Sequence, residues 1–205
     1  MEFEPSKTAI LVVHMQNDIV RPEGAFGAIF AQQATERHVI EHIRATLTAG
    51  RAAGATIVYL RIAWQSDYSD LVANSPLLGM VQQAGCLVDG TPGATIIEEL
   101  TPQPGDLVVT HQRPGAFTSS QLDLLLRSRG VTTVACAGVA TNASVEGTAR
   151  QASDLGYQTL LIEDACSAAD AATHAASAQS LSLLATISTV EEFTEALRAP
   201  ASHAS

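Results

Sequence analysis

Residues 132–150, TTVACAGVATNASVEGTAR, constrain the fold more than any other stretch of this chain. Residues 132–137 form a short apolar run with β-branched members, bounded by Gly130 and Gly138. Such a run reads as a fully buried strand. Gly138-Val139-Ala140-Thr141-Asn142 then makes a tight turn, and from about Asn142 the pattern becomes helical, ending near Gly156. Glycine suits the left-handed position just past a helix. A strand that feeds a helix through small residues leaves N–H groups unpaired at the helix start, where the helix dipole also favours negative charge. Ser144 stands in that first turn. A nucleophile beside an anion-stabilising backbone is the layout that acyl transfer uses. A plain small residue at a helix start looks the same, so the local pattern leaves both readings open.

The rest of the chain repeats the alternation. Apolar runs at 9–13, 56–60, 107–110, 157–162 and 185–188 read as further strands. Helical patterns fill 29–53, 94–100, 119–129, 170–184 and 190–197. In the longest, Ile40, Ile43 and Leu47 share one face. Strands alternating with helices predict a three-layer, Rossmann-like α/β domain, with a parallel sheet covered on both faces. One domain is expected over residues 1–205, with 1–7 and 199–205 as flexible tails. Residues 62–93 are the irregular part, rich in Gly and Pro. They read as a lid, or as a partly helical excursion that makes a subunit contact, and the two are compatible.

Composition removes several function classes. Hydrophobic residues make up 46% of the chain, enough for a sizeable core. No apolar run reaches membrane-spanning length and MEFEPSK is no signal peptide, so a cytoplasmic protein with no membrane partner is expected. A formal net charge of −10 without a basic cluster argues against nucleic-acid binding. Cys86, Cys136 and Cys166 have no CxxC spacing and read as reduced structural thiols. GxGxxG, P-loop and GxSxG motifs are all absent, and no cofactor is expected. His38 and His42 are spaced i, i+4, but no Cys or carboxylate completes a tetrahedral set nearby. A solvated helix face explains them, and no metal is expected. His174 and His203 read as structural, and Asp164, ending the fifth strand, as a cap for the next segment.

Ligands of parallel sheets sit at the carboxyl ends of strands, near the point where strand order reverses. Three polar residues fall at such ends: His14 after the first strand, His111 after the third and Ser144 in the turn after the fourth. A hydroxyl, a histidine base and a second polar group that orients the base form the logic of a catalytic triad. Lys7, the only lysine, lies before the first strand, at the opposite end of the sheet.

Three segments resemble the isochorismatase-like hydrolases, the superfamily of nicotinamidases, N-carbamoylsarcosine amidohydrolases and isochorismatases. AILVVHMQNDIV is similar to the family's opening strand and D-x-Q-x-D segment. GTPGATIIEELTPQPGDLVVTHQRPGAF is similar to its G-x-x-G…L-x-P-x-x-G-D…K-x-R-x-S-A-F segment. GVATNASVEGTARQASDLGYQTLLIEDACSA is similar to its G-V-x-T-x-x-C-V-x-x-T-A stretch and the G-Y…D-A that follows. The resemblance implies a six-stranded parallel sheet, a homo-oligomer (dimer or tetramer), and a non-proline cis peptide between Val139 and Ala140. It also implies an oxyanion hole made by the N–H groups of Ala140 and Ser144.

The amidases of this superfamily use an Asp, a Lys and a Cys, and those positions are His14, His111 and Ser144 here. The nicotinamidase metal ligands are missing from 62–75, where Trp64, Asp67 and Asp70 stand without a histidine. Isochorismatases also lack the Cys but keep the Asp, and this chain keeps neither. The replacements are not inert. A serine hydroxyl is far less acidic than a thiol and needs a stronger base, which a histidine supplies. The set therefore reads as a rebuilt Ser–His–His triad acting on a small-molecule ester, amide or related acyl compound. Ser144 is the nucleophile, one histidine the base, and the other orients it or donates to the leaving group. Arg113 is placed to bind a substrate carboxylate, Phe117 and Trp64 to wall an apolar group, and Asp18 to hold structure. Two alternatives remain: acid–base chemistry by His14 and His111 without a nucleophile, such as enol-ether cleavage, elimination or isomerisation, and a ligand-binding homologue without turnover.

Overall fold

The computed structural model describes residues 3–198. The tail expected at 199–205, with His203, lies outside the described residues. Six apolar runs become strands: β1 (Thr8–Val13), β2 (Thr56–Ile62), β3 (Leu107–His111), β4 (Thr133–Val139), β5 (Gln158–Ser167) and β6 (Thr186–Ser188). All pair in parallel, in the order β3-β2-β1-β4-β5-β6. Every residue of β1 and β4 is buried, which explains their unbroken apolar character. The helices are α1 (Asn17–Val20), α2 (Gly27–Glu36), α3 (Val39–Ala52), α4 (Pro76–Ala84), α5 (Leu122–Arg127), α6 (Glu146–Asp154), α7 (Ala171–Leu181) and α8 (Val190–Arg198). α3 packs with α8 over the sheet, and α6 packs with α7 against β5. Crossovers that leave the sheet centre in opposite directions put their helices on opposite faces. The fold is therefore the expected α/β domain. Among the described residues no helix is long and apolar enough to cross a membrane.

Strand order reverses beside β1, whose neighbours are β2 and β4. That places a crevice at the carboxyl ends of β1 and β4. The two strands approach closely there. Gly138 pairs with Val13 and has φ 125°, and a Cβ built on it would stand 2.2 Å from the Val13 carbonyl oxygen. Only glycine fits the conformation and the space.

Several expectations need correction. The single helix predicted over 29–53 is two, α2 and α3, broken at His38 with φ 53°. The Arg37 side chain is tied across to β5 at this break, donating to the carbonyls of Cys166 (2.9 Å) and Glu163 (3.2 Å). His42 does not simply face solvent, because its Nδ1 pairs with the Asp164 carbonyl at 2.6 Å. The excursion at 62–93 contains α4, capped by Ser75 and pinned to the core by Leu78 and Val81. Only Glu98–Leu100 of the helix predicted over 94–100 is helical, as one 3-10 turn. The helix predicted over 119–129 shortens to α5. Asp164 is a cap, but for α8: its carboxylate accepts the Val190 N–H at 2.8 Å. Asp170 caps the next helix, α7, by accepting from Thr173. In the leader, Phe3 stacks on Phe193 at 5.4 Å and Pro5–Lys7 form one 3-10 turn.

Candidate active site

His14 leaves β1 in the left-handed region, φ 53°. Histidine is among the few non-glycine residues enriched in that region, and such residues gather at functional sites. The His14 N–H donates to the Leu60 carbonyl at 2.9 Å, and its own carbonyl accepts from Gln16 at 2.8 Å. The buried Gln16 amide in turn accepts from the Ile62 N–H and donates to the carbonyls of Ile62 and Ala94. His14 is thus held on both sides by backbone. His111, the last residue of β3, stacks on it with ring centroids 4.9 Å apart.

Their hydrogen bonds assign the tautomers. His111 Nδ1 lies 2.8 Å from the Arg113 carbonyl, which only accepts, so Nδ1 carries the proton. Burial pushes the His111 pKa down to about 4 and that of His14 well below the usual histidine value, so both rings are neutral near pH 7. His111 Nε2 is then a lone pair, and His14 Nε2, 3.1 Å away, donates to it. His14 Nδ1 is left unprotonated, with no hydrogen-bond partner among the described residues.

The second half of the site is the turn after β4. The Val139–Ala140 peptide is cis. Thr141–Val145 then form one π-helical turn that runs into α6. The Ala140 carbonyl accepts from the N–H groups of Ala143 (3.1 Å) and Val145 (3.2 Å), on either side of Ser144. Ser144 is buried, and no hydrogen bond joins its hydroxyl to either imidazole. His14, Ala140 and Ser144 line one cavity of about 50 Å³, otherwise walled by apolar residues such as Phe26, Phe30 and Trp64.

The other expected site residues divide. Trp64 lines the cavity, 1% exposed, and its Nε1–H has no partner among the described residues. Arg113 does not line it: the guanidinium is turned outward to the Val72 carbonyl and the Asn74 amide oxygen. Phe117 packs on Tyr157 instead, at 5.9 Å between centroids, and its N–H is bound by Gln151. Neither Arg113 nor Phe117 is among the residues that line the cavity in this structure. Asp18 holds the 87–93 loop, accepting the Leu87 N–H at 2.8 Å beneath Gly93, where a Cβ would meet its carboxylate. Asp67 and Asp70 are taken up by local hydrogen bonds, and among the described residues no three His, Cys, Asp or Glu side chains gather as a metal site. All three cysteines are free and buried and none lines the cavity, and burial raises Cys86 to about 11 and Cys136 to about 12.

One group escaped sequence reasoning. His174, on α7, is 2% exposed and links the turn to β5. Its Nε2 lies 2.6 Å from the Glu163 carboxylate, which also pairs with Arg37 at 2.7 Å. Those two donors hold the Glu163 carboxyl below its usual range despite partial burial. With Nε2 donating, Nδ1 accepts from the Thr141 hydroxyl at 2.8 Å. A chain of four side chains thus fixes the first residue of the π turn. The sole sequence signal was a histidine in an Ala-rich helix.

The crevice where the strand order reverses thus holds an imidazole pair and a serine hydroxyl beside a cis peptide. The chain belongs to the isochorismatase family, whose domain model matches residues 8–192. It is similar to a cysteine hydrolase from Pseudomonas syringae pv. phaseolicola 1448A, with 27% identity over 96% of this chain and 95% of that one and a TM-score of 0.87. It is also similar to an isochorismatase family protein from Desulfovibrio vulgaris subsp. vulgaris str. Hildenborough, with 27% identity, coverage of 94% and 99%, and a TM-score of 0.83. An isochorismatase-like hydrolase from Alkaliphilus metalliredigens matches at 25% identity, 95% and 98% coverage and a TM-score of 0.79.

Proposed function

We propose that the protein is a small-molecule hydrolase that cleaves an ester, amide or related acyl bond through an acyl intermediate on Ser144. The observation that carries the reading is that His14, whose Nε2 is taken up by His111 and whose Nδ1 has no partner among the described residues, lines the same cavity as Ser144. On substrate binding the Ser144 hydroxyl turns to His14 Nδ1 and gives up its proton as Oγ attacks the carbonyl carbon. The imidazolium keeps its Nε2–H bond to His111, whose own Nδ1–H is fixed by the Arg113 carbonyl. His14 is therefore the base and His111 the group that sets its tautomer. The N–H groups of Ala140 and Ser144 receive the oxyanion. His14 then passes the proton to the leaving group, and a water deprotonated by the same nitrogen releases the acid.

Turnover of a panel of small esters, amides, ureas and enol ethers, followed by mass spectrometry, tests this. Ser144→Ala should lower kcat by 10²-fold or more, as loss of an activated nucleophile does, and wild-type Ser144 should carry a transient acyl adduct. The missing Ser144–imidazole hydrogen bond favours a second reading, acid–base chemistry by His14 and His111 without a nucleophile, on an enol ether or in an elimination or isomerisation. Survival of most of the rate in Ser144→Ala, with its loss in His14→Ala, would select that one. Absence of turnover on the whole panel would point to a ligand-binding homologue. The reading includes a cytoplasmic location, from the absence of membrane-length apolar runs and of a signal-peptide pattern in the sequence, and a homo-oligomer, dimer or tetramer, from family resemblance.

A further inference from the structure

We propose that this cavity binds a short hydrocarbon acyl chain, and that α4 is the wall that measures its length. The proposal rests on the reading of the cavity as the acyl site. Three observations carry it. First, the side chains around the reacting groups are hydrocarbon. Ile19, Phe26, Phe30, Leu78, Val81 and Leu87 line the space with His14 and Ser144, and no Arg, Lys, Asp or Glu does. The Trp64 indole nitrogen has almost no accessible surface and offers a ligand nothing. A polar atom within the acyl chain would leave water without gaining a partner, whereas each buried methylene gains about 4-fold in affinity. Second, the volume, about 50 Å³, has room for about four heavy atoms, a carbonyl group with two or so chain carbons. Third, the walls differ in what holds them. Ile62 and Val139 are the last residues of β2 and β4. α4 instead hangs between loops: Arg113 donates to the Val72 carbonyl and the Asn74 side chain just before it, and the chain leaves it through Gly85 at φ 62°. Leu77, Leu78 and Val81 of this helix all line the cavity. A change of residue size on α4 alters the space without altering β1 or the turn after β4, which carry the reacting groups.

Binding to the Ser144→Ala protein separates this from the nucleophile question, because no turnover is needed. Acetamide, propionamide, butyramide and hexanamide are titrated against the methyl resonances of the protein. Methoxyacetamide, which is butyramide with an ether oxygen in place of one methylene, is titrated beside them. Affinity should rise about 4-fold per carbon from acetamide to butyramide, and hexanamide should bind no tighter than butyramide. Methoxyacetamide should bind about 5-fold weaker than butyramide. Butyramide should move the Leu78 and Val81 methyl resonances. With Leu78→Ala added, the limit should lengthen, hexanamide binding about 4-fold or more tighter than butyramide. Methoxyacetamide binding as tightly as butyramide overturns the proposal, as does affinity that still climbs at hexanamide. Leu78 and Val81 methyl resonances that stay in place remove α4 from the site, as does a folded Leu78→Ala protein with the same length limit. The resonance shifts need no substitution in the helix, so they decide even where Leu78→Ala fails to fold. Turnover lost in Ser144→Ala with no discrimination among these amides defeats this inference alone, whereas the discrimination with turnover retained defeats the nucleophile reading alone.

Discussion

At the residue scale the site is built around one shared proton. His14 and His111 face each other through Nε2 atoms 3.1 Å apart, and the Arg113 carbonyl decides which ring donates. A deep pKa depression in the fold means that the unfolded chain takes up protons first as pH falls. The stability contributed by the neutral His111 ring is complete above about pH 6.5 and is lost as pH falls toward about 4, and burial, with His111 beside it, gives the His14 contribution the same sign. For His111 the shift from 6.5 to about 4 is worth about 3 kcal/mol. Urea unfolding at pH 7 and pH 4 should show wild type losing roughly 2–3 kcal/mol more than His111→Gln, and relief of His14 from its neighbour in the variant adds to the difference. Equal losses would refute the assignment. The acid limb of kcat/KM should also lie below pH 6.5, because the base stays unprotonated there. The positions of His14, His111 and Ser144 at strand ends were legible in the sequence. Their partners were not, since the direction of a side chain in an irregular loop has no period to read. Arg113 and Phe117 follow His111 by two and six residues, yet their side chains go to Asn74 and Tyr157.

At the scale of elements, the turn between β4 and α6 is held from behind by α7. His174 accepts from Thr141 and donates to Glu163, and three residues further along α7 Ser177 donates to Glu146 at 2.5 Å. Replacing His174 by Ala strands the buried Thr141 hydroxyl and leaves Glu163 with Arg37 alone, so it should cost about 1–3 kcal/mol in urea unfolding, with the m-value unchanged. A cost under about 0.5 kcal/mol would show that the chain of side chains holds nothing in place. Gly138→Ala should cost more than about 3 kcal/mol, because the new methyl meets the Val13 carbonyl and the backbone has φ 125°. A soluble, wild-type-like Gly138→Ala protein would contradict the close approach. Strands were readable here because burial on both faces leaves a plain apolar run. The break at His38 was not, because apolar spacing continues across it and the cause is Arg37 reaching β5, far along the chain. His174 was missed for the same reason: Glu163 and Thr141 become its neighbours only in the folded state.

Across the whole molecule, the strand alternation fixed the architecture, and the reversal of strand order beside β1 located the crevice. The helix α4 covers that crevice with Leu77, Leu78 and Val81 while Met80 stays 42% exposed, so one segment can both roof the cavity and meet a second subunit. Light scattering should give a mass of two or four times 21.4 kDa, and a monomer would remove the second role. The two imidazoles sit on strands of very unequal standing. β1 is central and wholly buried, whereas β3 lies at the sheet edge with Val108 and Thr110 exposed. Edge strands open locally at a lower free energy than the strands they flank. Amide exchange in β3 should therefore outpace exchange in β1 and β4. A fluctuation that withdrew His111 would free the His14 ring to change tautomer, so the histidine pair depends on an edge strand even while the rest of the sheet stays folded.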